Sequence, residues 1–244
     1  TIVNKGASLG LDLNPGKCEV ISHSGTISHP QFAGFRQVLP SSATLLGSPL
    51  SSDSAMDATI SSLNNDLRRA SERLNLISSH DALILLKNCL GGPKLQHVLR
   101  TSPCCDHPLL SEFDDLLRTS VTQICNVALS DDQWTQASLP VRSGGLGVRS
   151  VSKLASSAFL ASAASTLSLQ TLILRRTQVN EIDTIQSMDH WKRLTNDAQA
   201  ICQPQDSSQK AWDTAVVNRS FKALLDAQTE PYHRARLLAA SAAH

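Results

Sequence analysis

The sequence is poor in aromatic residues. Three Trp, one Tyr and five Phe make up only 4% of its 244 residues. The core therefore has to be built mainly from Leu, Ile, Val and Ala, which favours helices that pack through aliphatic and small side chains. The hydrophobic fraction is 41% and the charged fraction 18%, values that are typical of an ordered globular protein and not of a disordered one.

Signals for membranes, secretion and disulfides are also missing. The longest Ser/Ala-rich stretch, residues 150–169, contains Lys153 and many hydroxyls, so it does not resemble a membrane span. No basic-then-apolar signal segment opens the chain. The six cysteines show no regular spacing, which favours reduced thiols over a disulfide framework. We expect an intracellular protein of the cytoplasm or nucleus, without a membrane partner.

Two motifs resemble metal-binding sites, but the residues around them do not favour metal binding. Paired aspartates can bind two Mg²⁺ ions in nucleotidyl transfer, and Asp114 and Asp115 form such a pair. Because Phe113 belongs to the apolar stripe of a predicted helix, both aspartates are expected on its solvated polar side. The neighbours Cys104 and Cys105 should point apart, and zinc sites prefer two-residue gaps between cysteines. The sequence thus predicts no catalytic residue and no metal site in this chain.

Acidic residues are absent from one long interval, residues 133–180. The same interval contains five basic residues, namely Arg142, Arg149, Lys153, Arg175 and Arg176. Since the whole chain carries a net charge of +1, the remainder carries −4. A predicted helix that begins at Ser150 adds free backbone N–H groups and the positive end of a helix dipole.

These features predict contacts with a phosphate backbone. The residues expected to make them are Arg142, Gly144, Gly145, Arg149, Ser150 and Lys153. The alternative is a solvated loop whose charges only keep the protein soluble. For the Ser/Ala-rich helix that follows, packing against other helices is the favoured explanation.

The hydrophobic pattern changes near residue 50. Three short strands are predicted at residues 17–22, 35–39 and 44–46. Helical spacing then predicts helices over 53–74 with Asp53 as the N-cap, over 82–90, from Pro93, over 109–127, from Ser150, over 182–200, over 209–227 and from Tyr232. Residues 130–132 are expected to end the 109–127 helix, and residues 139–149 to form a linker. Thr1 opens the chain without a Met and His244 falls in mid-helix, so we expect both ends to be truncated.

Four stretches resemble reverse transcriptases of non-LTR retrotransposons. Residues 10–19 (GLDLNPGKCE) resemble the palm segment that follows the catalytic aspartate pair of this family. Residues 44–50 (TLLGSPL) are similar to its primer-grip hairpin. Residues 136–150 (QASLPVRSGGLGVRS) are similar to a stretch downstream of the palm, and residues 232–243 to the C-terminal region. Their order and rough spacing agree with the family.

The resemblance implies a predominantly helical α+β protein related to RNA-directed DNA polymerases. Residues 1–50 would be a small antiparallel remnant of the palm sheet, residues 51–138 a helical thumb, and residues 139–244 a helical connector truncated at the C-terminus. Asn14 and Lys17 would lie near the incoming nucleotide, and Leu46, Gly47 and Ser48 would position the primer end. The family's metal-binding aspartates are expected before Thr1, so this chain alone would bind no cofactor and be inactive, while the complete enzyme would need Mg²⁺.

The implied partners are an RNA template, a DNA primer, and the upstream palm and fingers of the same polyprotein. The implied function is template–primer binding in RNA-directed DNA synthesis. The alternative is a non-enzymatic helical interaction module from a degenerate retroelement reading frame.

Overall fold

The computed structural model describes residues 2–22, 25–51, 54–174, 182–196 and 208–242. The described chain is α+β and predominantly helical. It divides into two compact units, which we call the small unit (residues 1–56) and the helical unit (residues 57–244).

The small unit begins with a short helix, α1 (Ile2–Ala7). Its strands are short: β1 (Glu19–Ile21), β2 (Arg36–Val38), β3 (Thr44–Leu45) and β4 (Ser48–Pro49). The first three lie within the predicted strands. Strands β3 and β4 pair antiparallel, as expected for a hairpin, whereas β1 and β2 pair in parallel. The segment between β1 and β2, residues 22–35, is long enough for the crossover that parallel strands require.

The helical unit contains nearly all the regular structure of the described residues. Its helices are α2 (Ser54–Leu74, which begins in the small unit), α3 (Ser79–Leu85), α4 (Gly92–Thr101), α5 (Pro108–Cys125), α6 (Asp131–Ser138), α7 (Val151–Leu174), α8 (Ile182–Thr195), α9 (Gln209–Ala227) and α10 (Pro231–Ala242). A π-helical turn, Leu86–Leu90, continues α3. The predicted N-cap Asp53 and the last part of the predicted 182–200 helix lie outside the described residues.

The end of α5 corrects the sequence prediction. Asn126, in the left-handed conformation, ends α5, so residues 130–132 do not end it. Instead Ser130 starts α6 through a capping box, in which its hydroxyl accepts from the Gln133 N–H and its own N–H donates to the Gln133 side chain. The Ser-x-x-Gln pattern is a helix-start signal, and it makes residues 131–138 a helix.

The long helix α7 is the centre of the helical unit and packs against α4, α5, α8 and α9. Its Ser/Ala-rich face allows this close approach, because Ala155, Ala158 and Ala161 are at most 1% exposed. Helix–helix packing of this segment was predicted and is confirmed. On the α8 and α9 side, Trp191 and Trp212 meet edge to face at a ring-centroid distance of 5.0 Å.

We expect the two units to differ in local stability. Within residues 5–51 of the described chain, only Ala43, Ser48 and Pro49 are buried, and short strands with few neighbours are marginally stable. Amides around Val20 and Leu45 should therefore exchange at least ~100-fold faster than those around Leu117, which opens only with the helical core. Amide hydrogen exchange read by NMR measures this ratio. Equal protection would show that the small unit is as stable as the helical unit.

Candidate nucleic-acid interface

The segment of residues 139–149, which we call the glycine loop, folds back on the end of α6. The Leu146 N–H donates to the Ala137 carbonyl at 3.0 Å, and the Gly147 N–H donates to the Leu139 carbonyl at 2.9 Å. Gly145 is so close to this backbone that a Cβ built there would lie 2.1 Å from the Leu139 carbonyl oxygen. A side chain at Gly145 is therefore excluded by the protein's own backbone, whether or not a phosphate binds there.

The first turn of α7 is held by a carboxylate from another helix. Asp114 of α5 accepts hydrogen bonds from the Ser150 hydroxyl at 2.7 Å, from the Val151 N–H at 2.7 Å, and from both the N–H and the hydroxyl of Ser152. The expectation that Asp114 is solvated is wrong, since this residue is only 8% exposed. Burial raises the pKa of the Asp114 carboxyl, and the bonds from Ser152, Ser150 and the two backbone N–H groups oppose that rise. Asp115, one residue on, is exposed as predicted.

Ser150 is the N-cap of α7, as predicted. Its hydroxyl accepts from the Lys153 N–H at 3.3 Å while it donates to Asp114. Because Asp114 already occupies the N–H groups of Val151 and Ser152, the positive end of this helix is satisfied from within the protein.

Arg149 also has an intramolecular partner. Its two terminal nitrogens donate to the two carboxylate oxygens of Asp213 on α9, at 2.8 and 2.7 Å. Both side chains are largely shielded, with 24% and 10% exposed. A bidentate pair of this kind is among the strongest charge-assisted contacts in proteins. Arg149 therefore fastens the glycine loop to α9.

The remaining predicted cations have different surroundings. Arg142 is exposed, and no ion pair involves it in the described part of the chain. Lys153 is half-buried in a cleft between helices. Arg175 and Arg176 lie outside the described residues.

The structure adds α10 to this region, which the charge pattern of residues 133–180 did not reveal. Helix α10 packs against the 3₁₀ turn Val141–Ser143 that contains Arg142. A Cβ built on Gly144, whose φ is +78°, would lie 3.1 Å from the Ala240 Cβ. One turn before Ala240 stands Arg236, and no acidic residue occurs in residues 231–242. A second acid-free segment is thus joined to the glycine loop.

Lys87 is a further cation that sequence reasoning missed. It belongs to the π-helical turn, and its side chain crosses Gly147, where a built Cβ would lie 2.8 Å from Lys87 Cε. π-Helical turns occur frequently at functional sites. No sequence signal relates Lys87 to Gly147, because the two residues are sixty positions apart and meet only in the folded structure.

A polar cleft of about 500 Å³ opens beside the glycine loop, between α6, α9 and α10. Hydrogen-bonding side chains dominate its lining, and they include Gln133, Gln136, Gln228, His233 and Arg236. Gln136 connects the cleft to the loop, since its amide donates to the Gly144 carbonyl at 3.2 Å. Asp132 is the one carboxylate in the lining that the structure describes.

The residues carried over from the family resemblance lie in the small unit. Asn14 caps the 3₁₀ turn Pro15–Lys17, where its side chain accepts from the Gly16 N–H at 3.1 Å, and Lys17 is exposed. Leu46 and Gly47 form the two-residue turn between β3 and β4, with φ values of 52° and 81°. Ser48 follows in β4 and is 6% exposed.

Leu46 is unusual because it combines a left-handed backbone with 90% exposure. Such a conformation costs a bulky L-residue about 1–2 kcal/mol. A two-residue hairpin turn commonly has a positive φ at both central positions, so the turn between β3 and β4 accounts for this backbone conformation.

In the described ranges, no group of three or more His, Cys, Asp and Glu side chains could hold a metal ion. No helix in those ranges combines the length and the apolar character needed to traverse a bilayer. No protein-family model matches the chain, and no curated protein or solved structure matches it significantly.

The buried role of Asp114 gives a stability prediction with a matched control. Asp114→Ala removes the acceptor of four hydrogen bonds and should lower the free energy of unfolding by about 2–3 kcal/mol. Asp115→Ala, on the exposed side of the same helix, should change it by less than about 0.5 kcal/mol. Urea denaturation followed by circular dichroism measures both. Equal effects would contradict the assigned role of Asp114.

Proposed function

We propose that the helical unit binds the sugar–phosphate backbone of an RNA–DNA template–primer, as part of a reverse-transcriptase-like protein. The chain itself contributes no catalytic group in this proposal. Its role is to hold the duplex, and the polymerase chemistry would belong to residues outside this chain.

The observation that carries the proposal is the packing of α10 on the glycine loop. It brings together two acid-free segments that are about ninety residues apart in the sequence (141–143 and 231–242). Arg142 is exposed on one segment, and His233 and Arg236 line the polar cleft on the other. Arginines that pair with no carboxylate are typical of surfaces that follow a phosphate backbone. In the described lining of the cleft, Asp132 is the single acidic residue.

Two further features fit a nucleic-acid ligand. Tyr232, at the start of α10, is 67% exposed, and the Arg236 guanidinium lies 5.7 Å from its ring centroid. An exposed ring beside a cation is suited to stacking on a base while the cation contacts the adjacent phosphate. The Gln side chains of the polar cleft can hydrogen-bond to sugar hydroxyls and base edges.

The family resemblance supplies the rest of the proposal. Leu46, at the tip of the β3–β4 hairpin, would contact the primer end, and Asn14 and Lys17 would lie near the nucleotide. The complete enzyme would require Mg²⁺, held by residues of an upstream palm.

The ion pair between Arg149 and Asp213 makes Arg149 unsuitable for a binding test. Charge reversal at Arg149 would place a carboxylate against Asp213, and would therefore disturb folding as well as any binding. Arg142 and Arg236 carry no such risk, because no carboxylate pairs with either in the described structure.

The test is a salt titration of binding to an RNA–DNA hybrid. For the wild-type chain we expect little sequence preference and a Kd on the order of 10⁻⁴ to 10⁻⁶ M. Arg142→Gln with Arg236→Gln should weaken binding for all sequences and reduce the slope of log K against log salt by roughly 2, about one for each lost phosphate contact.

The control is Lys192→Gln with Lys222→Gln, which removes the same charge from exposed positions of α8 and α9. This pair should leave the slope within about 0.5 of the wild type, because only contacting cations change it. Equal losses from the two double variants would mean that overall charge governs binding, and the proposed interface would be wrong.

A second function is favoured by one observation. The C-terminal part of α7 exposes four large apolar side chains, namely Leu167 (51%), Leu169 (53%), Leu172 (75%) and Ile173 (69%). Leu169, Leu172 and Ile173 share one face of the helix by their spacing, and contiguous exposed apolar surface marks protein–protein contacts. A non-enzymatic helical interaction module is therefore the alternative if the hybrid-binding test fails.

A further inference from the structure

The helical unit contains a second cleft, of about 350 Å³, which we call the basic cleft. Its walls come from α6, α7, α8 and α9, so residues far apart in the sequence meet there. The polar lining residues are Asp132, Thr135, Lys153, Arg193, Arg219 and Ser220. Apolar side chains, such as Val216 and Leu224, complete the lining.

The cations of this cleft are incompletely neutralised. Arg193 is paired, since its guanidinium donates to the two Asp106 oxygens at 3.1 and 3.2 Å. Lys153 and Arg219 make no ion pair with any carboxylate in the part of the chain that the structure describes. Asp132, exposed in the first turn of α6, is the only acidic residue among the described lining.

Of the two cations without an ion pair, Lys153 gives the stronger indication that the cleft binds an anion. It stands in the first turn of α7, which Asp114 anchors, and it is half-buried. Burial lowers the pKa of its ammonium, and the negative charge of Asp114 only partly opposes that effect. The Asp114 oxygens already accept four hydrogen bonds from residues 150–152. A partly dehydrated ammonium without a paired anion is unfavourable, and an anion in the cleft would relieve this cost.

We propose that the basic cleft binds a phosphate group. Lys153 Nζ and the Arg219 guanidinium are its charged donors, and the hydroxyls of Thr135 and Ser220 add neutral donors. Charged donors on rigid helices, combined with hydroxyls in a concave site, suit a tetrahedral oxyanion. The phosphate is either free or the terminal phosphate of a nucleic-acid strand. The proposal does not rest on hybrid binding by the glycine loop and α10, whose cations are different.

The probe is inorganic phosphate, titrated from 0 to about 10 mM at constant ionic strength with NaCl as the balance, a range in which general salting effects on stability are small. The full chain should show a saturable rise in Tm. Lys153→Met and Arg219→Gln should each raise the apparent Kd for phosphate at least tenfold. Lys222→Gln, on the exposed side of α9, should leave it within twofold.

Lys153→Met also separates binding from folding. Because this variant removes an unpaired, half-buried charge and keeps the aliphatic bulk, its Tm without phosphate should be higher than that of the wild type. A lysine with a purely structural role would give a lower Tm instead. That result, or a phosphate-induced rise that is equal in all three variants, would overturn the proposal.

Competition between phosphate and short DNA strands identifies the source of the phosphate. Displacement by a 5′-phosphorylated strand, with none by the 5′-hydroxyl strand, indicates a strand end. Displacement by neither strand indicates a free phosphate compound. Equal displacement by both would assign the binding to the general backbone surface and overturn a separate cleft site.

Discussion

The carboxylate of Asp114 joins the middle of α5 to the first turn of α7, and the arrangement of the helical unit depends on this contact. Helix α7 is in turn packed by α4, α8 and α9. Directly before it, Arg149 is fixed to Asp213 of α9. Two acidic side chains from different helices, Asp114 and Asp213, thus fix the start of α7 and the direction in which the glycine loop enters it. The basic residues beside this start owe their positions to these two contacts.

The excess of positive charge in residues 133–180 is divided by the fold into separate roles. Arg149 is neutralised and serves the structure, Lys153 faces a cleft, and Arg142 remains on the surface. A net charge read along the sequence cannot distinguish these roles, because neutralising partners such as Asp213 come from distant segments. The positive charge of this segment that remains unpaired is therefore smaller than the sequence count.

Helical spacing and capping residues predicted those helices whose bounds depend only on neighbouring residues in the sequence. The helix predicted over residues 209–227 coincides with α9, and Ser150 starts α7 as its cap. The burial of Asp114 could not be predicted in this way. It adjoins Phe113 at the edge of the apolar stripe, and only the docking of α7 on that side removes it from water. The start of α6 was detectable, since Ser130 and Gln133 have capping-box spacing.

The three tryptophans of the chain are Trp134, Trp191 and Trp212, and all belong to the helical unit. Trp191 and Trp212 are in edge contact, and the indole N–H of Trp191 donates to the Trp212 carbonyl at 3.0 Å. Intrinsic fluorescence excited at the indole band therefore originates from one unit alone. Residues 1–56 can unfold without changing this signal directly, so an emission melt follows the helical unit, while the far-ultraviolet signal of strands and helices includes both.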